Sequence, residues 1–251
     1  MLPRTLEPEV MDSPADAHEY DSMDHAAVNR IFVTDLLTAL ADWSLQRPVK
    51  LPIDNAIPLL KVLDLGAGTA QIPIELARRA PNLHITAVDA AGSMLALARQ
   101  NIAAAEIPLP RREGRGEGSF FAPLTDRIDL ALADAKRLPF ADATFDITIS
   151  NSIVHHIAEP HAVLAEAIRV TTPGGLLFHR DLARPNDEAT LDHLVAIYAA
   201  DTTPYQRRLF AESLHAALTA EEMADLVAKS GFARNTVRMT SDRHWTWVAT
   251  V

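Results

Sequence analysis

From Leu59 onward, short apolar runs rich in Val, Ile and Leu alternate with stretches of helical spacing. In order they are LLKVLDL, IPIELARRA, LHITAVD, SMLALARQNIAAA, RIDLALAD, FDITISN, a helix over 160–167 and GGLLFHRDL. Strands whose apolar residues run almost without interruption are buried on both faces, and strands separated by helices of this length are joined by right-handed crossovers. The pattern predicts an α/β fold, a mostly parallel sheet with helices on both faces. Two later β-like runs, 236–239 and 245–249, bring the strands to seven and predict an antiparallel edge.

Before the alternation begins, residues 1–20 are rich in Pro, Glu, Asp and Ala without periodicity, which predicts a disordered start. Over 24–43 the residues Val28, Ile31, Phe32, Leu36, Ala39, Leu40 and Trp43 fall at i, i+3, i+4 spacing, one apolar stripe of a helix. Proline punctuates 47–58, a connector. The reading divides the chain into a disordered start and helical cap over 1–58 and one domain over 59–251. After the fifth strand, 186–217 predicts extra helices, a candidate lid. Thr219 and Glu222 have capping-box spacing, and Gly231 with Phe232 fits a helix C-terminus. Within 106–122 the segment PLPRREGRGEG is low-complexity, cannot bury a core and reads as a surface insertion at the N-terminal edge of the sheet.

Composition narrows the chemistry. With 23 Lys and Arg against 33 Asp and Glu the formal charge is −10, unsuited to a broad phosphate-binding face, so nucleic acid is not the expected partner. There is no cysteine, hence no disulfide, thiolate metal site or cysteine nucleophile. No secretory signal is visible and no apolar run nears the roughly 18 residues of a spanning helix, so a cytoplasmic protein with no membrane insertion is expected. Oligomeric state is unreadable.

The decisive stretch is VLDLGAGTAQ, residues 62–71, where a buried strand ends in a glycine turn that opens a helix. A dinucleotide site wants a third glycine where Gln71 stands. Asp64, at the strand's carboxyl end, would repel a diphosphate but suits an ammonium or sulfonium group, which predicts a nucleoside with a cationic arm. Asp89, 21 positions after Gly68, ends the second strand where a carboxylate accepts from ribose hydroxyls. Asp134 and Ala135 end the third strand, where a carboxylate and a backbone amide meet an adenine edge. The fourth strand runs into Asn151, His155 and His156.

At these places the chain resembles the class I S-adenosylmethionine-dependent methyltransferases. VLDLGAGTA is similar to their glycine-rich first motif and VDAAGSM to the acidic second. ADAKRLPFADATFD resembles the adenine-contact region, SNSIVHHI the fourth motif, and RVTTPGGLLFHRDL the run into the fifth strand. The matches cover about 59–182, and SNSIVHHI with the PGG turn is most similar to the branch of quinone and sterol methyltransferases. The resemblance implies a Rossmann-like doubly wound sheet with an N-terminal helical cap. It implies S-adenosylmethionine as cofactor, S-adenosylhomocysteine as product and a small-molecule acceptor methylated by in-line displacement. Gly66 and Gly68 would let the backbone approach the methionine part and Asp64 would hold its amino group. Asp89 would hold the ribose, Met94 would cover the adenine with Asp134 and Ala135 at its edge, and Asn151 would stand beside the sulfonium.

His155 and His156 follow the fourth strand and are candidate proton acceptors, the alternative being a cap or supporting role. Tyr20 enters with the N-terminal helix beside Met23 and Asn29; in relatives such a segment folds over the cofactor, which would place Tyr20 near the transferred methyl. His179 and Asp181 alternate to one face and Arg180 to the other. The first two are candidates for holding an acceptor or, with His155, a metal, and the plainer expectation is an Arg–Asp salt bridge at the sheet rim. No metal site is predicted, because the ten histidines show no ligand spacing. A peptide or protein acceptor and a non-catalytic cofactor-binding regulator are the alternatives; a nicotinamide oxidoreductase is disfavoured by the missing glycine and by Asp64.

Overall fold

The computed structural model describes residues 2–7, 10, 12–23, 25–46, 59–106 and 122–251. The connector 47–58 and all but the ends of the 106–122 insertion lie outside them. The parallel core is laid down by β1 (Leu60–Leu65), α3 (Gln71–Arg79), β2 (Leu83–Asp89), α4 (Gly92–Ala105), β3 (Ile128–Leu132), β4 (Phe145–Asn151), α5 (Pro160–Val170) and β5 (Thr171–Leu182). There follow α6 (Glu188–Tyr198), α7 (Pro204–Ala216), α8 (Ala220–Lys229), β6 (Val237–Met239) and β7 (His244–Thr250). The sheet has seven strands in the order β3-β2-β1-β4-β5-β7-β6, with β7 antiparallel to both β5 and β6. The expected doubly wound sheet is present. Of its two last strands, β7 is interior and only β6 forms the edge.

Alternation along β1 explains why its run is continuously apolar. Leu63 and Leu65 enter the core that includes Leu164, Val227 and Trp247, while Val62 enters the opposite one with Phe32, Leu76 and Phe178. The order places β1 between β2 and β4, all three parallel, so the direction in which strands are added across the sheet reverses there, and ligands of open α/β sheets bind at such a point beyond the strand carboxyl ends. Thr219 and Glu222 form the capping box of α8, and Gly231, at φ +91°, closes it while the Phe232 amide donates to Val227 O at 3.0 Å.

The chain's start is more ordered than its composition predicts. Pro14–Ser22 is a helix, α1, capped by Ser13, and it buries only Ala17. Its anchors are polar: the Asp12 carboxylate accepts from the Ser93 amide at 2.9 Å, and Asp21 accepts from Gln71 Nε2 at 3.1 Å and Asn101 Nδ2 at 2.9 Å. Residues 2–7 are also fastened. Arg4 donates to the carbonyls of Ala216, His155 and Ile157. The next helix, α2 (Ala26–Leu45), buries Phe32, Val33, Leu36 and Trp43.

The expected Arg–Asp pair at the rim of β5 does not form within that strand. Arg180 donates to Asp35 of α2 at 2.6 Å and Asp181 engages His155, because alternation carries the two side chains to opposite faces. Trp245 and Trp247 are fully buried, and Trp43 donates to Gly174 O at 2.9 Å.

Candidate active site

The turn after β1 is built on left-handed backbone, with Gly66 at φ +70° and Gly68 at φ +54°. A Cβ on Gly66 would stand 2.0 Å from Ile153 Cγ2, so only glycine lets this turn pass under the segment that follows β4. Asp89 is stitched to the same turn. One carboxylate oxygen accepts from the Gly68 amide and the other from the Ala91 amide, each at 2.8 Å. Burial raises the Asp89 carboxyl, although the amides of Ala91, Gly68 and Ala90 pull it back.

Asp64 lies two residues before the turn and is 2% exposed. Burial pushes its carboxyl well above the usual carboxylate range, and the charge of Asp89 adds to the push. Among the described residues no cationic side chain pairs with it. Around Asp64 and Gly66 a cleft is lined by Tyr20, Asn29, Thr69, Gln71 and Asn151 among others, and its free volume of about 20 Å³ is room for about one water. Over it lies α1: a Cβ on Gly68 would meet Tyr20 Cε1 at 3.6 Å. Burial, then the charges of Asp89, Asp64 and Asp21, push the Tyr20 phenol up to about 12, so near neutrality it is a hydrogen-bond donor. Asn29 donates to Gln71 at 3.0 Å, and Gln71 donates to Asp21, so a chain of amides ties α2, α3 and α1 around the opening.

Of the sequence candidates, the structure brings together Asp64, Gly66, Gly68, Asp89, Asn151 and Tyr20. Met94 is buried under α1 with Ala17, Ala91 and Leu97, and Tyr20 packs against the same cluster. Asp134 is half exposed and turned back on its own loop, where it accepts from the Lys136 amide at 2.8 Å, while Ala135 packs into the core. His155 and His156 do not line the cleft. His155 is 4% exposed and its Nδ1 meets Asp181 Oδ1 at 2.5 Å; the other Asp181 oxygen accepts from the amides of Val154 and His155. Burial alone would raise Asp181 and lower His155, but the two stabilise each other's charge, which holds the carboxyl low and the imidazole high. His179 is fully buried and pushed down to about 4 by that burial, so it is neutral. Arg207 caps α6 through the carbonyls of Ala199 and Ala200.

The residues that sequence reasoning missed reach the site over long distances: Asp21 and Asn101 at the clasp, Ile153 against the glycine turn, and Glu7 against the histidines. Glu7 carries no local signal, since it lies in a polar stretch without periodicity.

The cleft fits a cationic nucleoside cofactor. A buried carboxylate without a counter-charge suits an ammonium group, and Asn151 Oδ1, buried with no hydrogen-bond partner, suits a donor. A methyltransferase-domain family model matches residues 63–179. The demethylmenaquinone methyltransferase of Parafrankia sp. is 34% identical over 213 residues, covering 80% of this chain and 82% of the relative. The ubiquinone/menaquinone biosynthesis C-methyltransferase of Cereibacter sphaeroides is 29% identical over 205 residues, 77% of this chain and 70% of the relative. A crystal structure of an S-adenosylmethionine-dependent methyltransferase from Aquifex aeolicus superposes with a TM-score of 0.57 at 14% identity, covering 96% of this chain and all of that one.

The chain belongs to the class I S-adenosylmethionine-dependent methyltransferases, in the branch of the ubiquinone-type enzymes. It is an enzyme that transfers methyl groups to small molecules, with S-adenosylmethionine as cofactor and S-adenosylhomocysteine as product. Among the described residues no helix is long and apolar enough to cross a membrane.

Asp89→Ala removes the acceptor of the Gly68 and Ala91 amides and is expected to loosen the glycine turn; if the carboxylate also accepts from cofactor hydroxyls, binding weakens by about 1–3 kcal/mol. Calorimetric titration of the wild type and variant checks this.

Proposed function

We propose that the acceptor is a phenol or hydroquinone ring and that the methyl is added to a ring carbon. The observation that carries this reading is the 34% identity, over most of both chains, to a demethylmenaquinone methyltransferase. A cytoplasmic location goes with the reading.

S-adenosylmethionine, when bound, supplies a methyl group on a positively charged sulfur. In this reading Asp64 holds the ammonium of its amino-acid arm, Gly66 and Gly68 let the backbone approach that arm, and Asp89 accepts from the ribose hydroxyls. Met94 covers the adenine and Asn151 stands beside the sulfonium; Asp134, which turns back on the Lys136 amide in the ligand-free chain, would have to swing out to meet the adenine edge, with the Ala135 amide beside it. Helix α1 excludes water. A pocket for a whole nucleoside needs roughly 300 Å³ or more, so α1 must shift outward for the cofactor to enter and close again behind it. Tyr20, the one catalytic candidate that faces the cleft, stays protonated and donates a hydrogen bond to the acceptor's oxygen, fixing the ring for in-line attack. The helices α6 and α7 form a wall over the acceptor. His155 and His156 are assigned no proton transfer, because both are held outside the cleft; as the methyl bonds to the ring carbon, the C–S electron pair would stay on sulfur and the proton lost from that carbon would pass to solvent water on the acceptor side.

Tyr20→Phe is expected to lower kcat by about 10–100-fold, the equivalent of losing one hydrogen bond to a charged oxygen, with little change in cofactor affinity. The product is examined by NMR. A new carbon-bound ring methyl supports the proposal, whereas methyl on oxygen, or on an added peptide, contradicts it.

A further inference from the structure

Beside the cofactor cleft, and independent of its assignment, lies a second group of side chains. Glu7, from the fastened strap of residues 2–7, points one oxygen at both histidines. Glu7 Oε1 is 3.4 Å from His155 Nε2 and 3.1 Å from His156 Nδ1, and the three atoms all lie within 4.8 Å of one another. Ligand atoms around a tetrahedral zinc ion, each about 2.0–2.1 Å from the metal, stand about 3.3 Å apart. The two edges from Glu7, 3.4 and 3.1 Å, match that spacing, and the third stays within 4.8 Å.

Two further features point the same way. Asp181, fully buried, binds His155 Nδ1 and so turns Nε2 toward Glu7, the outer carboxylate–histidine arrangement that orients metal-bound imidazole and fixes its tautomer. His156 Nδ1 is a buried atom whose facing group is the same Glu7 oxygen, at 3.1 Å. Glu7 is steadied on its far side by Ser213 Oγ at 3.2 Å. Two imidazoles and one carboxylate suit a borderline divalent transition ion, not magnesium or calcium, which take oxygen shells.

We propose that Glu7, His155 and His156 form a binding site for a divalent transition-metal ion, which pins the N-terminal strap to the turn after β4. Three protein ligands leave coordination positions for water. The spacing was invisible in the sequence because one ligand comes from the chain's start and the other two are adjacent.

The test uses the full chain stripped with a chelator and titrated with zinc, with magnesium as the contrast, and with cobalt for its visible absorption. The expected result is one equivalent of zinc, no magnesium uptake, and a cobalt spectrum of tetrahedral intensity. Glu7→Gln and His156→Ala should each weaken zinc binding at least tenfold. His84→Ala, which removes a histidine paired with Asp129 on the surface, should leave it unchanged. If Glu7→Gln lost its folding transition, His156→Ala would decide alone, since that side chain is 23% exposed and its removal is tolerable. Absence of stoichiometric zinc uptake, or uptake that both variants leave intact, overturns the proposal and makes the cluster an ion-pair latch only.

Discussion

Asp64→Asn is expected to abolish useful affinity for S-adenosylmethionine while raising the melting temperature of the ligand-free chain. Breaking a buried ion pair costs about 3–5 kcal/mol, which is a loss of roughly 10²- to 5 × 10³-fold in binding. The opposite effect on the free protein follows from linkage. Burial and Asp89 hold the Asp64 carboxyl well above its ordinary range, so between the ordinary and the raised value the folded chain binds a proton that the unfolded chain has released. Ligand-free stability therefore falls as pH rises through that window, and the asparagine variant should lack this part of the slope. Affinity for the cationic cofactor should run the other way in the wild type, tightening as Asp64 ionises. Melting and calorimetric titration across the window, on both proteins, read both signs. A variant that is less stable when ligand-free, yet binds the cofactor normally, would contradict this account of Asp64.

Asp181→Ala is expected to be the most destabilising single change outside the apolar cores. The carboxylate is fully buried, binds His155 Nδ1, and accepts from the amides of Val154, His155 and Leu182. Its removal leaves a buried imidazole and three buried amides without their acceptor, a loss of about 3–5 kcal/mol by analogy with other broken buried pairs. The same turn carries Ile153, whose side chain closes over Gly66, so the cofactor loop should loosen with it. Chemical denaturation gives the stability directly. A loss under about 1 kcal/mol, the value of an ordinary hydrogen bond, would show that the pair does not organise this turn.

The fold was legible because strands buried on both faces write themselves as unbroken Val, Ile and Leu, and because the crossover helices between them are amphipathic. That Asp64, Gly66, Gly68 and Asp89 come together was legible for a related reason: the first three lie within one strand and turn, and Asp89 ends the next strand over. What pattern could not show was contact between distant segments. Helix α1 has no apolar stripe, and its anchors are Asp12 on Ser93 and Asp21 on Gln71 and Asn101, partners far along the chain. Arg180 and Asp181 looked like a pair because they are neighbours in sequence. Their own alternation separates them, one to Asp35 and the other to His155. The two histidines after β4 were visible as chemistry, but Glu7, which faces both, was not.

The central claim is that the cleft around Asp64 holds S-adenosylmethionine for methyl transfer to a small molecule. Its most direct test is transfer of label from methyl-labelled S-adenosylmethionine to a hydroquinone acceptor, with wild type and Asp64→Asn side by side. The account predicts label in the small-molecule product, S-adenosylhomocysteine formed in equal amount, and neither with the variant. Equal transfer by both proteins, or no transfer by the wild type to any small-molecule acceptor while it binds the cofactor, would contradict it.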